Sequence, residues 1–173
     1  MGKIQKTRPV KLISGLIFKE QDYFEQAKQS LVKRFGPLDY QSPVLEFDYT
    51  DYYARELGTN LKRSFLSFKR LISPSELPKI KIYANSIERK ISKAGLRLVN
   101  IDPGYLDQSK LVLASTKDYS HRICLGHGIY AEVTLIYRNK AFRPLDWTYP
   151  DYKSSEYNSI FNQIRDLYAA GIP

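Results

Sequence analysis

The segment spanning residues 100–138 constrains the fold most, because it combines three strand-like stretches with short polar loops. Residues 110–116 are apolar and partly β-branched, and apolar residues alternate with polar ones over 121–125 and 129–138. Alternation with a period of two predicts β-strands. The glycine–histidine–glycine segment between the last two strands predicts a three-residue hairpin loop closed by a bulge. The sequence therefore predicts a three-stranded meander.

The predicted register of this meander collects polar side chains at one end of the sheet. The hairpin loop places Arg122 opposite Glu132, and a four-residue loop before it places Ser115 opposite Arg122. The same end carries three further polar side chains, namely Lys117, Asp118 and His121. Two interpretations stay open: a binding site, or an ordinary cross-strand ion pair that contributes a few tenths to about 1 kcal/mol.

The rest of the chain alternates between helical and strand-like patterns. Helical spacing and capping residues predict helices over residues 22–35, 51–57, 75–93 and 155–169. Apolar runs and alternation predict strands over residues 10–18, 42–49, 61–72 and 96–101, with a helix as the alternative for residues 61–72. The Asp102-Pro103-Gly104 tripeptide predicts a turn, and residues 139–152 show no regular pattern.

This order of elements predicts an α+β fold. The first six major elements match the ferredoxin-like split βαβ arrangement, whose antiparallel sheet the three-stranded meander extends, and a C-terminal helix closes the chain. We expect the helices on one face of the sheet and a partly solvated opposite face. The 173 residues are expected to form a single domain, with a flexible start over residues 1–8.

The net charge of +9 lies entirely within residues 1–99. Such an excess favours a polyanionic partner, either nucleotide phosphates or RNA, although a solvated lysine-rich surface is the alternative. No feature points specifically to DNA. One cysteine indicates a reducing cytoplasmic environment, and no apolar run approaches the roughly 20 residues of a membrane helix.

Three sets of residues are candidates for chemistry. Carboxylate oxygens are the ligands that Mg²⁺ and Mn²⁺ prefer, and four acidic residues form a candidate metal site: Asp48, Asp51, Asp102 and Glu132. Three cations are predicted to hold a phosphate beside it: Arg63, Lys117 and Arg122. His121 with Asp118 predicts a general acid–base pair. The structural alternatives are turn carboxylates, ion pairs and a hydrogen-bonded edge histidine.

A further pattern lies in the strand predicted over residues 61–72. Phe65 and Phe68 are interleaved with basic residues. Aromatic side chains on a sheet, flanked by cations, stack the bases of single-stranded RNA in ferredoxin-like domains. The alternative interpretation is that both phenylalanines belong to the core.

Several strings resemble the bacterial family called domain of unknown function 4416. They are PVKLISGL, FDYTDYY, LKRSFLSFKRLI, NIDPGYL, SKLVLASTKDYSHRI, GIYAEVTLIYR and WTYPDY, which together span nearly the whole chain. Members are sometimes labelled GTP-binding proteins, but the resemblance implies no defined activity. A P-loop needs Gly-x-x-x-x-Gly-Lys-Ser/Thr to hold phosphates, and this chain contains no such string.

The function that these patterns favour is a nucleotide-phosphate or RNA binding module that uses the basic end of the sheet. One alternative is a metal-dependent phosphate-transfer or hydrolase enzyme. Another is a protein–protein interaction module, because the chain is rich in tyrosine.

Overall fold

In the computed structural model, which describes residues 2–171, the strands form one large antiparallel sheet, and helices pack on both of its faces. The strands are β1 (Val10–Phe18), β2 (Leu38–Gln41), β3 (Leu45–Phe47), β4 (Leu61–Ile72), β5 (Val99–Leu106), β6 (Lys110–Ser115), β7 (Ile123–Gly126), β8 (Ile129–Arg138) and β9 (Ala141–Pro144). The α-helices are α1 (Gln21–Phe35), α2 (Ala54–Leu57), α3 (Leu77–Ile91) and α4 (Ser155–Ala170). Three 3₁₀ helices lie at Asp51–Tyr53, Pro74–Glu76 and Asp151–Lys153.

The sheet has the order β2-β4-β1-β5-β6-β8-β7, with β3 also paired to β4 and β9 to β8. Every pairing in this sheet is antiparallel. The predicted α+β class is therefore confirmed. The bounds predicted for β1 and β4 agree with the structure, whereas the sequence did not predict β2 and β9.

Helices cover both faces of the sheet, so the expectation of one solvated face is wrong. All nine residues of β1 are buried. Leu12 and Leu16 pack in the cluster that α1 and α3 complete, whereas Ile13 packs in a second cluster with Phe161 and Ile164 of α4. Each fully buried side chain of this size contributes roughly 1.5–3 kcal/mol. The continuous apolar run of β1 therefore reflects its two covered faces.

β6, β7 and β8 do not form the predicted meander, because β8 lies between β6 and β7. Ile123 pairs with Ala131, as predicted, but it lies in an edge strand and is 73% exposed. The hairpin turn has two residues, His127 and Gly128, with φ of 57° and 71°. Two positive φ values are typical of a type I′ turn, and a bulge before Gly126 restores the register.

The predicted turn at Asp102-Pro103-Gly104 lies inside β5 instead. Pro103 is opposite Ser14 in β1, and the pairing of β5 with β6 begins only at Gly104. Proline has no N–H to donate, so it suits a strand position with one unpaired side. A side chain at Gly104 would overlap the carbonyl oxygen of Val112, so glycine is required by the close approach of β6.

The outer edge of β8 is shared by two short strands with a gap between them. β7 pairs with residues 129–131, and β9 pairs with residues 135–138. In the gap, Trp147 Nε1 donates to the carbonyl oxygen of Val133 (2.9 Å), and Thr148 Oγ1 donates to that of Thr134 (2.6 Å). Two side chains therefore satisfy the carbonyl groups that no strand covers.

None of the described helices combines the length and the apolar character that a membrane span requires. Residues 2–9 form no helix or strand.

Candidate functional site

A cleft with a volume of about 720 Å³ opens where the pairing of β5 with β6 ends. Beyond Gly104 the two strands separate, since Pro103 donates no backbone hydrogen bond. Asn100 and Asp102 of β5 line one side of the cleft, and Ala114 and Ser115 line the other. The local sequence of β5 thus creates the opening in the sheet.

Six cationic side chains and four carboxylates line this cleft within the described chain. The cations are Arg63, Lys81, Arg89, Arg97, Lys117 and Arg122, and the carboxylates are Glu88, Asp102, Glu132 and Asp151. All three predicted phosphate-binding residues are among them, together with two of the predicted metal ligands.

Arg63 on β4 is the most deeply placed cation, with 1% of its surface exposed. Its Nη1 donates to Asp102 Oδ2 (3.2 Å), and its Nη2 donates to the Tyr152 hydroxyl (2.5 Å). The guanidinium carbon lies 4.9 Å from the ring centre of Phe65 and 5.4 Å from that of Tyr152. A buried charge needs such partners, because its desolvation is costly.

The guanidinium also depends on Gly15 of β1. A methyl group at Gly15 would lie 2.7 Å from Arg63 Nη2 and 3.0 Å from its Cζ. The sequence alone shows no connection between this glycine and the site.

Two carboxylates lie near Arg63. Asp102 Oδ2 also accepts a hydrogen bond from Asn100 Nδ2 (2.9 Å), and Lys81 Nζ lies 3.9 Å from Asp102 Oδ1. Asp151 is 6% exposed, and its burial raises the pKa of its carboxyl group, an effect that the charge of Arg63 partly offsets. Burial likewise raises the pKa of Glu88, which accepts the N–H of Ile101 (2.7 Å).

Arg122 forms a second cluster with the predicted partners Glu132 and Ser115. Its Nε donates to Glu132 Oε2 (2.7 Å), and its Nη1 donates to Ser115 Oγ (2.8 Å) and to the Lys117 carbonyl oxygen (3.0 Å). Its Nη2 donates to the Tyr149 hydroxyl (2.7 Å). Most of its N–H groups are therefore committed to holding the wall together.

His121 lies beside Glu132 rather than beside Asp118. Its Nε2 is 3.0 Å from Glu132 Oε2, and its ring stacks on Trp147 with ring centres 5.4 Å apart. Asp118 is exposed, and its charge raises the pKa of Tyr130 instead. Neither residue of the predicted acid–base pair lines the cleft.

Lys117 and Arg89 are the cleft cations that have no ion pair among the described residues. Lys117 Nζ lies 3.9 Å from the ring centre of Tyr52, and Arg89 is exposed on α3. The remaining cleft cation, Arg97, binds Glu56 and Glu88. The two unpaired cations come from different walls and are available to a ligand.

The predicted metal ligands whose side chains the structure describes, Asp48, Asp102 and Glu132, do not form one group. Asp48 is exposed just after β3 and does not line the cleft, and the side chain of Asp51 lies outside the described part of the chain. Asp102 and Glu132 are engaged by Arg63 and Arg122. Among the described residues, no group of three or more His, Cys, Asp or Glu side chains is placed to hold a metal ion.

Exposed aromatic side chains concentrate at the cleft. Within the described chain they are Tyr49, Tyr52, Tyr119, Trp147 and Tyr149, and all except Trp147 line it. Phe65 and Phe68 are fully buried, so they belong to the core and do not form an RNA-stacking surface.

A family model described as Domain of unknown function (DUF4416) matches residues 8–168. The chain belongs to this family. The match spans every element that lines the cleft, from β1 to the segment 149–151. No curated protein matches the sequence.

Three residues at the site of this DUF4416 member were not predicted from the sequence. Tyr149, Asp151 and Tyr152 lie in the stretch that shows no periodicity, because turns and a 3₁₀ helix follow the short strand β9 there. Their one signal is the density of tyrosine and proline in WTYPDY. Tertiary contacts with Arg63 and Arg122 give that segment its place.

Proposed function

We propose that this protein binds a nucleotide in the cleft and holds the phosphate groups with Arg89 and Lys117. The observation that carries the proposal is the meeting of four exposed tyrosines with two unpaired cations in one cavity. A nucleotide combines a flat base, which stacks on aromatic rings, with phosphate groups, which attract free cations.

The charges of the cleft support this assignment of roles. Four of the six cations already face carboxylates, so they balance the buried charge of the walls. Arg89 and Lys117 add positive charge that the described residues leave unbalanced. The opening of the cleft, where Arg89 and Lys117 lie, therefore attracts an anionic ligand.

The size of the cleft favours a mononucleotide over an RNA strand. A volume of about 720 Å³ falls within the range of roughly 300–1,000 Å³ that is usual for small-molecule sites. Single-stranded RNA is bound along extended basic grooves that carry several stacking platforms. Binding of RNA but not of free nucleotide is the result that would reverse this choice.

The test is calorimetric titration of the purified protein with ATP, GTP and a short single-stranded RNA. Lys117→Gln and Arg89→Gln should each weaken nucleotide binding about tenfold or more, since a hydrogen bond to a charged group contributes about 1.5–3 kcal/mol. Lys79→Gln is the matched control, because Lys79 is exposed on α3 but does not line the cleft. Unchanged affinity in both cleft variants would reject the site.

A protein–protein interaction role has one supporting observation. The edge strand β7 exposes Ile123 and Leu125 and carries no charged residue or proline, which are the usual protections of a free edge. Sedimentation over a range of concentrations tests its simplest form, self-association. A monomer at every concentration would count against that form.

We also propose that the first half of the chain is ferredoxin-like. The order β2-β4-β1-β5, with antiparallel neighbours, supports this, as does the packing of α1 and α3 in one core cluster. An experimental structure in which β1 does not lie between β4 and β5 would refute it. A cytoplasmic location stays a prediction from the low cysteine content.

A further inference from the structure

The floor of the cleft contains two carboxylates that the protein does not fully use as hydrogen-bond acceptors. Asp102 Oδ2 accepts from Arg63 and Asn100, but the nearest cation to its Oδ1, Lys81 Nζ, is 3.9 Å away. Asp151 is 6% exposed, and its carboxylate interacts with the backbone N–H groups of Asp151 and Tyr152, whereas none of the described side chains donates a hydrogen bond to it. Both residues line the cleft. Acceptors are thus available to a ligand.

Hydroxyl groups are the partners that such acceptors suit. A ligand hydroxyl donates its proton to a carboxylate oxygen, and its own oxygen accepts from a cation. The cations Arg63 and Lys81 line the same part of the cleft as these carboxylates.

The charge of the floor points to a neutral ligand group. Arg63 and Lys81 lie beside Asp102 and Asp151, and the neighbouring carboxylate of Glu88 is paired with Arg97, so three cations face three carboxylates. A ligand cation would unbalance this arrangement, and so would a ligand anion. Neutral hydroxyl groups leave the balance unchanged while they fill the vacant hydrogen-bonding positions.

The shape of a ribonucleotide suits this distribution of groups. The 2′- and 3′-hydroxyls project from the edge of the ribose that faces away from the base and the 5′-phosphates. A nucleotide that enters with this edge first leaves its base near the exposed tyrosines. Its phosphates then lie at the mouth, where Arg89 and Lys117 are unpaired.

We infer that Asp102 and Asp151 receive the 2′- and 3′-hydroxyl groups of a ribonucleotide, so that the cleft selects ribonucleotides over deoxyribonucleotides. Carboxylates accept ribose hydroxyls in the same way in dinucleotide-binding folds. This inference rests on the proposed nucleotide binding, and it adds the sugar as the determinant of specificity.

Titration calorimetry with ATP, 2′-deoxy-ATP and 3′-deoxy-ATP at one salt concentration tests the inference on the unmodified protein. We expect each deoxynucleotide to bind at least about tenfold more weakly than ATP, because the missing hydroxyl group leaves a buried acceptor without a hydrogen bond. Equal affinities for the three nucleotides would overturn the ribose assignment and leave nucleotide binding intact. Binding of none of them would overturn both proposals.

A variant then assigns the discrimination to the floor. Asp151→Ala should weaken ATP binding about tenfold and bring ATP and the weaker deoxynucleotide to within about threefold of each other. Asp151 suits this test because no other described side chain donates to its carboxylate, whereas Asp102 holds Arg63. Asp146→Ala is the control, since Asp146 is exposed outside the cleft. Undiminished preference for ATP in a folded Asp151→Ala protein would remove Asp151 from the site.

Discussion

Replacing Gly15 with alanine should destabilise the protein through its effect on Arg63. The added methyl group would lie 2.7 Å from Arg63 Nη2 and 3.0 Å from Phe65 Cε1, closer than ordinary van der Waals contact. A long side chain usually moves aside from such a contact. Arg63 has no room to do so, because it is buried between the rings of Phe65 and Tyr152.

The expected cost follows from two contributions. Overpacking a filled core costs about 1–3 kcal/mol. Displacing the guanidinium from Asp102 and Tyr152 weakens hydrogen bonds to a charged group that contribute about 1.5–3 kcal/mol. Movement of the guanidinium relieves the overpacking but weakens its hydrogen bonds, so the two costs do not add fully. We therefore expect a net loss of about 3 kcal/mol of unfolding free energy. For a domain of this length the melting temperature should fall by roughly 6–12 °C.

A double-mutant cycle isolates the cause. In an Arg63→Met background the clash with the guanidinium is gone and only the contact with Phe65 Cε1 remains, so Gly15→Ala should cost about 1 kcal/mol. Gly171→Ala is the control, because the nearest atom to its added methyl group would be 3.6 Å away. Thermal unfolding followed by circular dichroism measures the four proteins of the cycle and the control. An equal penalty in both backgrounds, or a melting temperature within 2 °C of the original, would refute the reasoning.

Two further predictions concern the walls and floor of the cleft. Arg122→Met should cost about 3–5 kcal/mol of unfolding free energy in urea denaturation, because it leaves Glu132 buried without its arginine. Adding Glu132→Gln should recover most of this loss. A cost below about 1 kcal/mol would show that the pair is dispensable. Asp151→Asn should stabilise the protein near neutral pH. Burial raises the pKa of Asp151 in the folded state, so its ionisation disfavours folding above that pKa, and the advantage of asparagine should disappear as the pH falls below the unfolded value of about 4. Melting curves measured across this range test the sign, and an advantage that is constant with pH would contradict it.

The sequence predicted the positions of helices and strands better than it predicted which strands are adjacent in the sheet. The bounds of β1 follow from its apolar run, those of β4 follow from the spacing of its aromatic side chains, and α1, α3 and α4 follow from helical spacing. Alternation shows which residues share a face, but it does not identify the adjacent strand. β7 was therefore assigned to the centre of a meander, whereas the six-residue pairing of β6 with β8 leaves it at the edge.

The candidate site was predicted in the same uneven way. Arg63, Lys117 and Arg122 do line one cleft, although the strand order that brings them together differs from the expected one. The pairing of His121 with Glu132 depends on the position of β8 and was missed. The Pro-Gly dipeptide after Asp102 predicts a turn, because this dipeptide usually marks one. In the structure both residues lie in β5: Pro103 lies where the pairing with β6 ends, and Gly104 allows the close approach of β6.

The side chains that cover the gap on the outer edge of β8 also give the molecule an internal optical reporter. Trp147 is the one tryptophan of the chain, so its fluorescence comes from a single known place. Its ring stacks on His121, which contacts Glu132, the partner of Arg122 in the cleft wall. A ligand that shifts this wall changes the surroundings of the indole ring. Cleft occupancy can therefore be followed by emission from the unlabelled protein.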